Sequence, residues 1–338
     1  MFSKPIDVLA IGDIVTDAFI KLKEAHVNCN VNNVGCEICM KFGDKVPFES
    51  VTELRAVGNS PNASVSASRL GLRSSLLASV GNDRDGQECL AELKRNGVGV
   101  KHVQVYPGFK TNYHYVLWYD VDRTILVNHT EFPYSFPRLP KAPRWIYLSS
   151  LASNSFEYHL EILAYLKQNP EVKLCFQPGT FQMKLGTAKL AELYKRADVF
   201  VCNVEESQRI LGLEEKGFTN ITDIKNLLSG IAALGPKIVL ITDGPKGAYM
   251  LEGGISYFMP IYPDPKPPVE RTGCGDAFAS TFISALCLGK TSLEALVWAP
   301  INPMWVVQFV GAQKGLMSQG ELEGWLAKAP TNYRYNVI

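Results

Sequence analysis

The sequence lacks both an apolar run of membrane-spanning length and an excess of either charge. No hydrophobic stretch reaches the roughly 18 to 20 residues that a transmembrane helix needs, and residues 1–5 show no signal-peptide pattern. The 34 basic and 33 acidic side chains leave a net charge of +1, which provides no field to attract nucleic acid or an anionic membrane. We therefore expect a cytoplasmic protein that binds neither.

Cysteine is also scarce, and low-complexity tracts and internal repeats are missing. The 8 scattered cysteines in 338 residues are too few for a disulfide scaffold, so we expect reduced thiols. Apolar residues make up 46% of the chain, enough to bury a large core. These features favour one large α/β domain with a small appendage.

The first predicted strand is not followed by the glycine pattern that dinucleotide cofactors require. Residues 6–12 form a short apolar run ending in Gly12, which is typical of a buried strand. The sequence then continues Asp-Ile-Val and does not form Gly-x-Gly-x-x-Gly. This argues against a dinucleotide-dependent oxidoreductase.

From residue 144 onward, predicted strands and helices alternate, which indicates a parallel sheet covered by helices on both faces. The predicted strands are residues 145–149, 172–176, 199–202 and 238–242, and the predicted helices are residues 158–168, 187–196 and 221–234. Ligands of such sheets bind beyond the carboxyl ends of the strands. The polar motifs described below follow such ends.

A glycine turn late in the chain carries the strongest chemical signal. Residues 270–280 read Glu-Arg-Thr-Gly-Cys-Gly-Asp-Ala-Phe-Ala-Ser, after a proline-rich loop and before apolar residues with helical spacing. At a helix N-terminus, the unpaired backbone N–H groups of Gly273, Cys274 and Gly275 can hold an anion such as a phosphoryl group. Asp276 either accepts a proton from an attacking hydroxyl or only caps the helix.

Thr-Gly-x-Gly-Asp-x-Phe at the start of an apolar helix resembles the signature of the ribokinase family, the PfkB-type carbohydrate and nucleoside kinases. The resemblance implies a three-layer αβα domain spanning residues 1–338, with a mostly parallel central sheet and a small β lid. It implies transfer of the γ-phosphoryl group of ATP to a hydroxyl of a small sugar-type substrate. Asp276 would be the general base, residues 273–275 the anion hole, and Mg²⁺ the cofactor. The resemblance leaves open whether the enzyme also uses a monovalent cation and whether it forms a homodimer through the lid.

The resemblance places the lid in residues 18–57 and 103–130. Its strands are expected within residues 45–54, 103–106, 113–119 and 124–128, the last two joined by a turn at residues 120–123. The first segment also holds His26, Cys29, Cys36 and Cys39, which are ligand types of a zinc site. Because their spacing is not that of a standard finger, we expect no zinc and redox-silent thiols.

Two motifs are expected to bind the acceptor. Asp17, five positions after Gly12, matches a polar residue that bonds sugar hydroxyls in the family, and Asp13 is a second candidate. The loop with Gly58, Asn59 and Asn62 resembles the family's Gly-Gly-x-x-x-Asn substrate motif. The alternatives are that the two Asp residues are turn residues and that Asn62 is a helix N-cap.

Further motifs are assigned to Mg²⁺ and to the nucleotide. Asn203 and Glu206 match the family's Asn-x-x-Glu motif, whose glutamate holds Mg²⁺ through water; a plain helix start is the alternative. Arg271 departs from the family's pattern and is expected to aid phosphate binding as a cation. Gln177 follows a predicted strand, and whether it lines the site is left open. The residues assigned to nucleotide binding are Thr242, Gly244, Gly247, Arg271 and Asn302.

Two alternative functions remain at this stage. A nucleoside kinase of the same fold would use the aromatic lid residues Tyr113, Tyr115 and Trp118 to stack on a base. A non-catalytic sugar or nucleotide sensor is the alternative from another class, and Arg271 keeps it open. The sequence does not identify the acceptor.

Overall fold

The structure is a computed structural model that describes residues 5–29, 36–120, 122–213 and 221–338. Residues 1–4, residues 30–35 of the expected lid segment and Val121 of the predicted turn lie outside the described residues. In chain order the strands are β1 (Val8–Ile11), β2 (Val15–Leu22), β3 (His26–Asn28), β4 (Glu37–Cys39), β5 (Phe48–Val57), β6 (Ser74–Gly81), β7 (Gly99–Tyr106), β8 (Asn112–Tyr119), β9 (Asp122–Leu126), β10 (Trp145–Leu148), β11 (Lys173–Phe176), β12 (Val199–Asn203), β13 (Ile238–Thr242), β14 (Ala248–Glu252), β15 (Ile255–Met259) and β16 (Asn336–Val337).

The helices surround the central sheet on both faces. They are α1 (Asn59–Arg69), α2 (Arg84–Arg95), α3 (Phe156–Gln168), α4 (Thr180–Leu185), α5 (Ala191–Arg196), α6 (Val204–Ile210), α7 (Ile221–Ala232), α8 (Cys274–Cys287), α9 (Ser292–Trp298), α10 (Ile301–Val306) and α11 (Gln319–Leu326). Within the described ranges, no helix is long and apolar enough to cross a membrane.

The central sheet has ten strands in the order β16-β15-β14-β13-β12-β11-β10-β1-β6-β7. The seven strands from β13 to β7 run parallel, and β14 to β16 add an antiparallel edge. The predicted three-layer α/β architecture is therefore confirmed. The hairpin of β14 and β15 was not predicted, and the unassigned C-terminal tail supplies β16.

Two apolar cores hold the layers together, one on each face of the sheet. Val8 and Ala10 of β1 pack into the core with α1 and α8, while Leu9 and Ile11 pack into the core with α3, α5 and α7. Successive side chains of a strand point to opposite faces, so a strand buried on both faces reads as a continuous apolar run. Full burial of one such side chain contributes about 1.5–3 kcal/mol.

A second sheet has the order β5-β2-β8-β9, and we call these four strands the lid sheet. The pairing of Tyr119 with Asp122 closes the predicted β8–β9 hairpin. Residues 103–106 do not belong to the lid sheet, so their assignment to the lid is wrong. They form part of β7, which pairs in parallel with β6 after the crossover through α2.

Candidate active site

A cleft of about 860 Å³ lies between the lid sheet and the carboxyl ends of the central strands. Because directly paired residues share a face of a sheet, the strand registers place Asp17, Leu54 and His114 on the same side of the lid sheet. Asp17 and Leu54 line the cleft, together with Arg123. This side is the inner face of the lid sheet.

The glycine turn forms the floor of the cleft. Gly273 is the N-cap of α8 in the left-handed conformation, with φ 77°, and a Cβ on it would lie 2.2 Å from the Ala312 Cβ. Only glycine fits this conformation and this approach without strain. The first helical hydrogen bond runs from Ala277 N to Gly273 O, so the N–H groups of Cys274, Gly275 and Asp276 precede it. A Cβ on Gly275 would meet no atom within 4 Å, so the turn is open to a ligand.

Asp276 is buried beside these amides. Its Oδ1 accepts hydrogen bonds from Asn59 Nδ2 at 2.7 Å and Gln177 Nε2 at 3.2 Å, and its Oδ2 accepts one from Asn62 Nδ2 at 2.8 Å. Burial raises the pKa of Asp276, and the three amide donors oppose that rise by stabilising the ionised form. Two oxygens offer about four acceptor sites, so one remains on Oδ2 for a ligand hydroxyl.

The amides around Asp276 are themselves held in place. Gln313 Nε2 donates to Asn62 Oδ1 at 2.9 Å, and the buried Tyr147 hydroxyl donates to Gln177 Oε1. These bonds fix which end of each amide faces the carboxylate. Asn62 is not a helix N-cap, as one interpretation had it, because α1 begins at Asn59 and Gly58 is the N-cap.

Asp17 and Asp13, the two acceptor candidates from the first strand, differ in position. Asp17 lines the cleft; its Oδ1 is buried without a hydrogen-bond partner and lies 3.4 Å from His114 Nδ1. Asp13 is not among the residues that line the cleft, and both of its oxygens accept from the Tyr134 hydroxyl, at 2.8 and 3.0 Å. The assignment of Asp13 to the acceptor is therefore not supported.

Asn203 and Glu206 also line the cleft and form a capping box at the start of α6. Asn203 Oδ1 accepts from Glu206 N at 2.7 Å, and Glu206 Oε2 accepts from Asn203 N at 2.8 Å. Burial raises the pKa of Glu206, which means that its charged form gains from a nearby cation. The described residues contain no group of three or more His, Cys, Asp or Glu side chains that could hold a metal ion.

The nucleotide candidates reach the cleft with one exception. Thr242, Gly244, Gly247 and Arg271 line it, and Arg271 is exposed. Asn302 is fully buried. Its Nδ2 donates to Thr281 Oγ1 at 2.8 Å and its Oδ1 accepts from Met317 N at 2.8 Å. Its side chain is therefore satisfied inside the protein, and its assignment to the nucleotide is wrong.

The sequence interpretation did not identify Arg123, His114 and Gln313. Arg123 and His114 could have been found from the predicted β8–β9 hairpin, because alternate side chains of its strands point to the cleft side. Gln313 carries no local signal, because it reaches Asn62 from a loop about 250 residues away in sequence.

The cysteines of the lid segment differ from the expectation in one respect. Cys29 and Cys36 form a disulfide, so the expectation of reduced thiols is wrong for this pair. Cys29 directly follows β3 and Cys36 directly precedes β4, so the pairing of these two strands brings the two thiols together. Cys39 is free.

Comparisons with known proteins identify the family of this chain. The family model described as pfkB family carbohydrate kinase matches residues 26–318. An ATP-dependent 6-phosphofructokinase of Thermoanaerobacterium thermosaccharolyticum is 24% identical over 326 residues, covering 91% of this chain and 90% of that protein. A nucleoside kinase of Methanothermobacter thermautotrophicus is 22% identical over 334 residues, covering 94% and 95%.

Solved structures share the fold. The structure of Arabidopsis thaliana ribokinase complexed with ribose and ATP superposes with a TM-score of 0.78 at 19% identity, covering 96% of this chain and 99% of that one. This confirms the ribokinase-like fold. The match of the family model over most of the chain shows that the protein belongs to the PfkB family of carbohydrate kinases, enzymes that use ATP to phosphorylate an alcohol group.

Proposed function

We propose that this protein transfers the γ-phosphoryl group of ATP to a hydroxyl of a small sugar-type substrate, with residues 1–338 acting as one kinase domain. The observation that carries the proposal is the position of Asp276. Its buried carboxylate is oriented by three amides and stands next to backbone N–H groups at the start of α8. A base and an anion hole thus share one turn, as in-line transfer to a hydroxyl requires.

In the proposed mechanism each residue has one task. Asp276 accepts the proton of the acceptor hydroxyl at Oδ2 as the hydroxyl oxygen attacks phosphorus. The N–H groups of Cys274, Gly275 and Asp276 donate hydrogen bonds to the transferring oxygens. Asn59, Asn62 and Gln177 keep the carboxylate in orientation.

The donor set fits Mg²⁺ if ATP and water supply most ligands. Only Oε2 of Glu206 is engaged by Asn203, and the raised pKa of this buried carboxyl favours a cation beside it. Mg²⁺ prefers oxygen ligands and retains several waters, so one carboxylate is sufficient from the protein. When bound, the ion would neutralise phosphate charge, and Glu206 with Asn203 would hold it near the nucleotide.

The orientation of the aromatic lid residues supports a sugar over a nucleoside. Tyr113 and Tyr115 alternate with His114 along β8 and therefore lie on the outer face of the lid sheet. Trp118 lies on the inner face, in register with Lys21, but it does not line the cleft; its Nε1 donates to Asp120 O at 2.9 Å and Lys21 Nζ lies 5.5 Å from its ring centroid. The stacking that motivated the nucleoside alternative thus has no support in this arrangement.

The experiment that tests the function is a screen of ATP consumption by the purified protein with Mg²⁺. The panel contains neutral pentoses and hexoses, sugar phosphates, sugar acids and nucleosides, and ³¹P NMR identifies each product. We expect a phosphorylated sugar. Turnover of nucleosides alone would favour the nucleoside kinase. If no acceptor of the panel is phosphorylated, the proposal is contradicted.

We expect Asp17→Ala to raise the KM for the best acceptor of that panel at least tenfold, or about 1.4 kcal/mol, the value of a charge-assisted hydrogen bond. The reason is that the Asp17 carboxylate lines the cleft and that its Oδ1 accepts no hydrogen bond from the protein. The KM for ATP should stay nearly constant. Steady-state kinetics with each substrate varied check this, with Asp17→Asn as the isosteric comparison. An unchanged acceptor KM would remove Asp17 from the acceptor site.

We further propose that the outer face of the lid sheet pairs with a second copy of the chain. Val51, Tyr115 and Leu126 lie on this face and are 47%, 49% and 51% exposed, an apolar patch of the kind that marks an interface. Leu126→Glu should then convert a dimer to a monomer in light scattering at micromolar concentration. The control is Ile255→Glu in β15, also exposed. A monomeric parent protein would contradict the proposal.

A further inference from the structure

The acceptor end of the cleft is the part that lies between Asp276 and Asp17. The proposed transfer places the reacting hydroxyl at Asp276, and Asp17 lines the same cleft from the inner face of the lid sheet. Both side chains are carboxylates. Asp17 Oδ1 accepts no hydrogen bond from the protein, and the partners of Asp276 are three amides. The acceptor thus meets one carboxylate at its reacting hydroxyl and a second one beyond it.

Two histidines stand behind Asp17, and neither is among the residues that line the cleft. His114 Nδ1 lies 3.4 Å from Asp17 Oδ1, and His129 Nδ1 lies 3.4 Å from Asp13 Oδ2. The ring centroids of the two histidines are 4.9 Å apart, so the four side chains form one cluster. Even if both rings are protonated, two imidazolium charges only balance two carboxylates. The cluster therefore offers no surplus positive charge to an anionic ligand.

The described cations on the inner face of the lid sheet lie far from Asp17. The strand registers place Lys21 and Arg123 four positions along the lid sheet from it, or about 13 Å. Lys21 pairs with Glu49 at 2.9 Å, and Arg123 Nη1 lies 3.8 Å from Glu270 Oε2, at the glycine turn. The other Lys and Arg side chains that line the described part of the cleft are Lys246, after β13, and Arg271, in the glycine turn. In the described ranges, no Lys or Arg therefore forms an ion pair with Asp17.

We propose that the acceptor is a neutral sugar, without a phosphate or carboxylate group, whose hydroxyls are bound by Asp17 and Asp276. A hydroxyl donates a hydrogen bond to a carboxylate, whereas an ionised phosphate or carboxylate only accepts and is repelled by a like charge. A sugar phosphate would need a fixed cation at the acceptor end, of the kind that Arg or Lys provides for phosphate. The inference rests on the proposed phosphoryl transfer and narrows its substrate class.

The first test compares the best neutral sugar of the panel with its own anionic derivatives. For fructose these are fructose 1-phosphate and fructose 6-phosphate, each of which keeps one primary hydroxyl free, and for glucose the derivative is gluconate. The kcat/KM of the neutral sugar should exceed that of its derivatives at least about 100-fold. Where a derivative is not turned over, its competitive inhibition constant against the neutral sugar is compared with the KM of that sugar.

The second test removes one of the two carboxylates at the acceptor end. In Asp17→Asn the preference for the neutral sugar over its anionic derivatives should fall about tenfold, because the amide keeps the shape of the side chain and removes the like charge. Glu205→Gln is the matched control. It also removes one carboxylate from the cleft lining, but at the start of α6, and should leave this preference unchanged.

The outcomes separate this inference from the proposed function. An anionic derivative used as efficiently as its neutral parent would overturn the inference and leave the proposed transfer intact. If Lys21→Ala then raised the KM for that derivative, the anion would bind at Lys21. A preference that Asp17→Asn leaves unchanged would also overturn the inference, because the discrimination would then arise away from Asp17. Turnover of no acceptor at all would instead contradict the proposed function, on which the inference rests.

Discussion

Asp276→Asn should lower kcat by about 10²- to 10⁴-fold while the affinity for ATP stays within a few-fold, because loss of a general base acts on the transition state. The substitution keeps the shape of the side chain and removes the group that accepts the acceptor proton. The side chains that contact this carboxylate are the amides of Asn59, Asn62 and Gln177, and an amide cannot accept the proton in its place. Steady-state kinetics and calorimetry of ATP binding check both parts.

The pH dependence provides a second measurement of the same residue. A base must be ionised, and burial raises the pKa of Asp276. The acid limb of kcat/KM should therefore lie above the pH at which an exposed aspartate titrates, and turnover should fall as the pH drops through it. The control for loss of one negative charge is Asp44→Asn, an exposed carboxylate. Near-normal turnover of Asp276→Asn would exclude the base assignment.

The glycine turn was predictable because its signal is local. A helix N-terminus, its glycines and its carboxylate fall within a few consecutive residues, and the helical period after Asp276 fixes their placement. The same holds for the capping box of Asn203 and Glu206, which the spacing of three residues specifies. Alternation of strands and helices also predicted the parallel sheet, since each strand reads as a short apolar run.

The partners of these local motifs were not predictable, because they depend on contacts between distant segments. The amides of Asn59 and Asn62 were expected to bind the acceptor, yet they donate to Asp276 more than 210 positions away. Asn302 shows the reverse case. Its position in a late helix suggested a ligand contact, but the packing of α8 against α10 buries it beside Thr281. A buried polar side chain whose donor and acceptor both find partners inside the protein leaves no recognisable pattern in the sequence.

Gly273→Ala should lower kcat by about 10²-fold or more, the scale expected when a hydrogen-bond donor to a transition-state oxygen is misplaced. Gly273 has φ 77°, and the left-handed conformation costs an L-residue about 1–2 kcal/mol. The new Cβ would also lie 2.2 Å from the Ala312 Cβ, so the turn or the loop at Ala312 must move. Either movement displaces the N–H groups at the start of α8 relative to Asp276.

Two further variants separate the steric effect from conformational strain. Gly289, just beyond the end of α8, has φ 89°, and a Cβ on it would meet no atom within 4 Å, so Gly289→Ala carries the strain without the contact and should leave kcat unchanged. Ala312→Gly combined with Gly273→Ala removes the closer contact and leaves the Ala312 Cα at 2.7 Å, so it should restore activity in part. Thermal unfolding of each variant shows whether the fold survives. If Gly273→Ala folds normally and retains full kcat, the turn does not position the transferring phosphoryl group, and the anion hole must be sought elsewhere in the cleft.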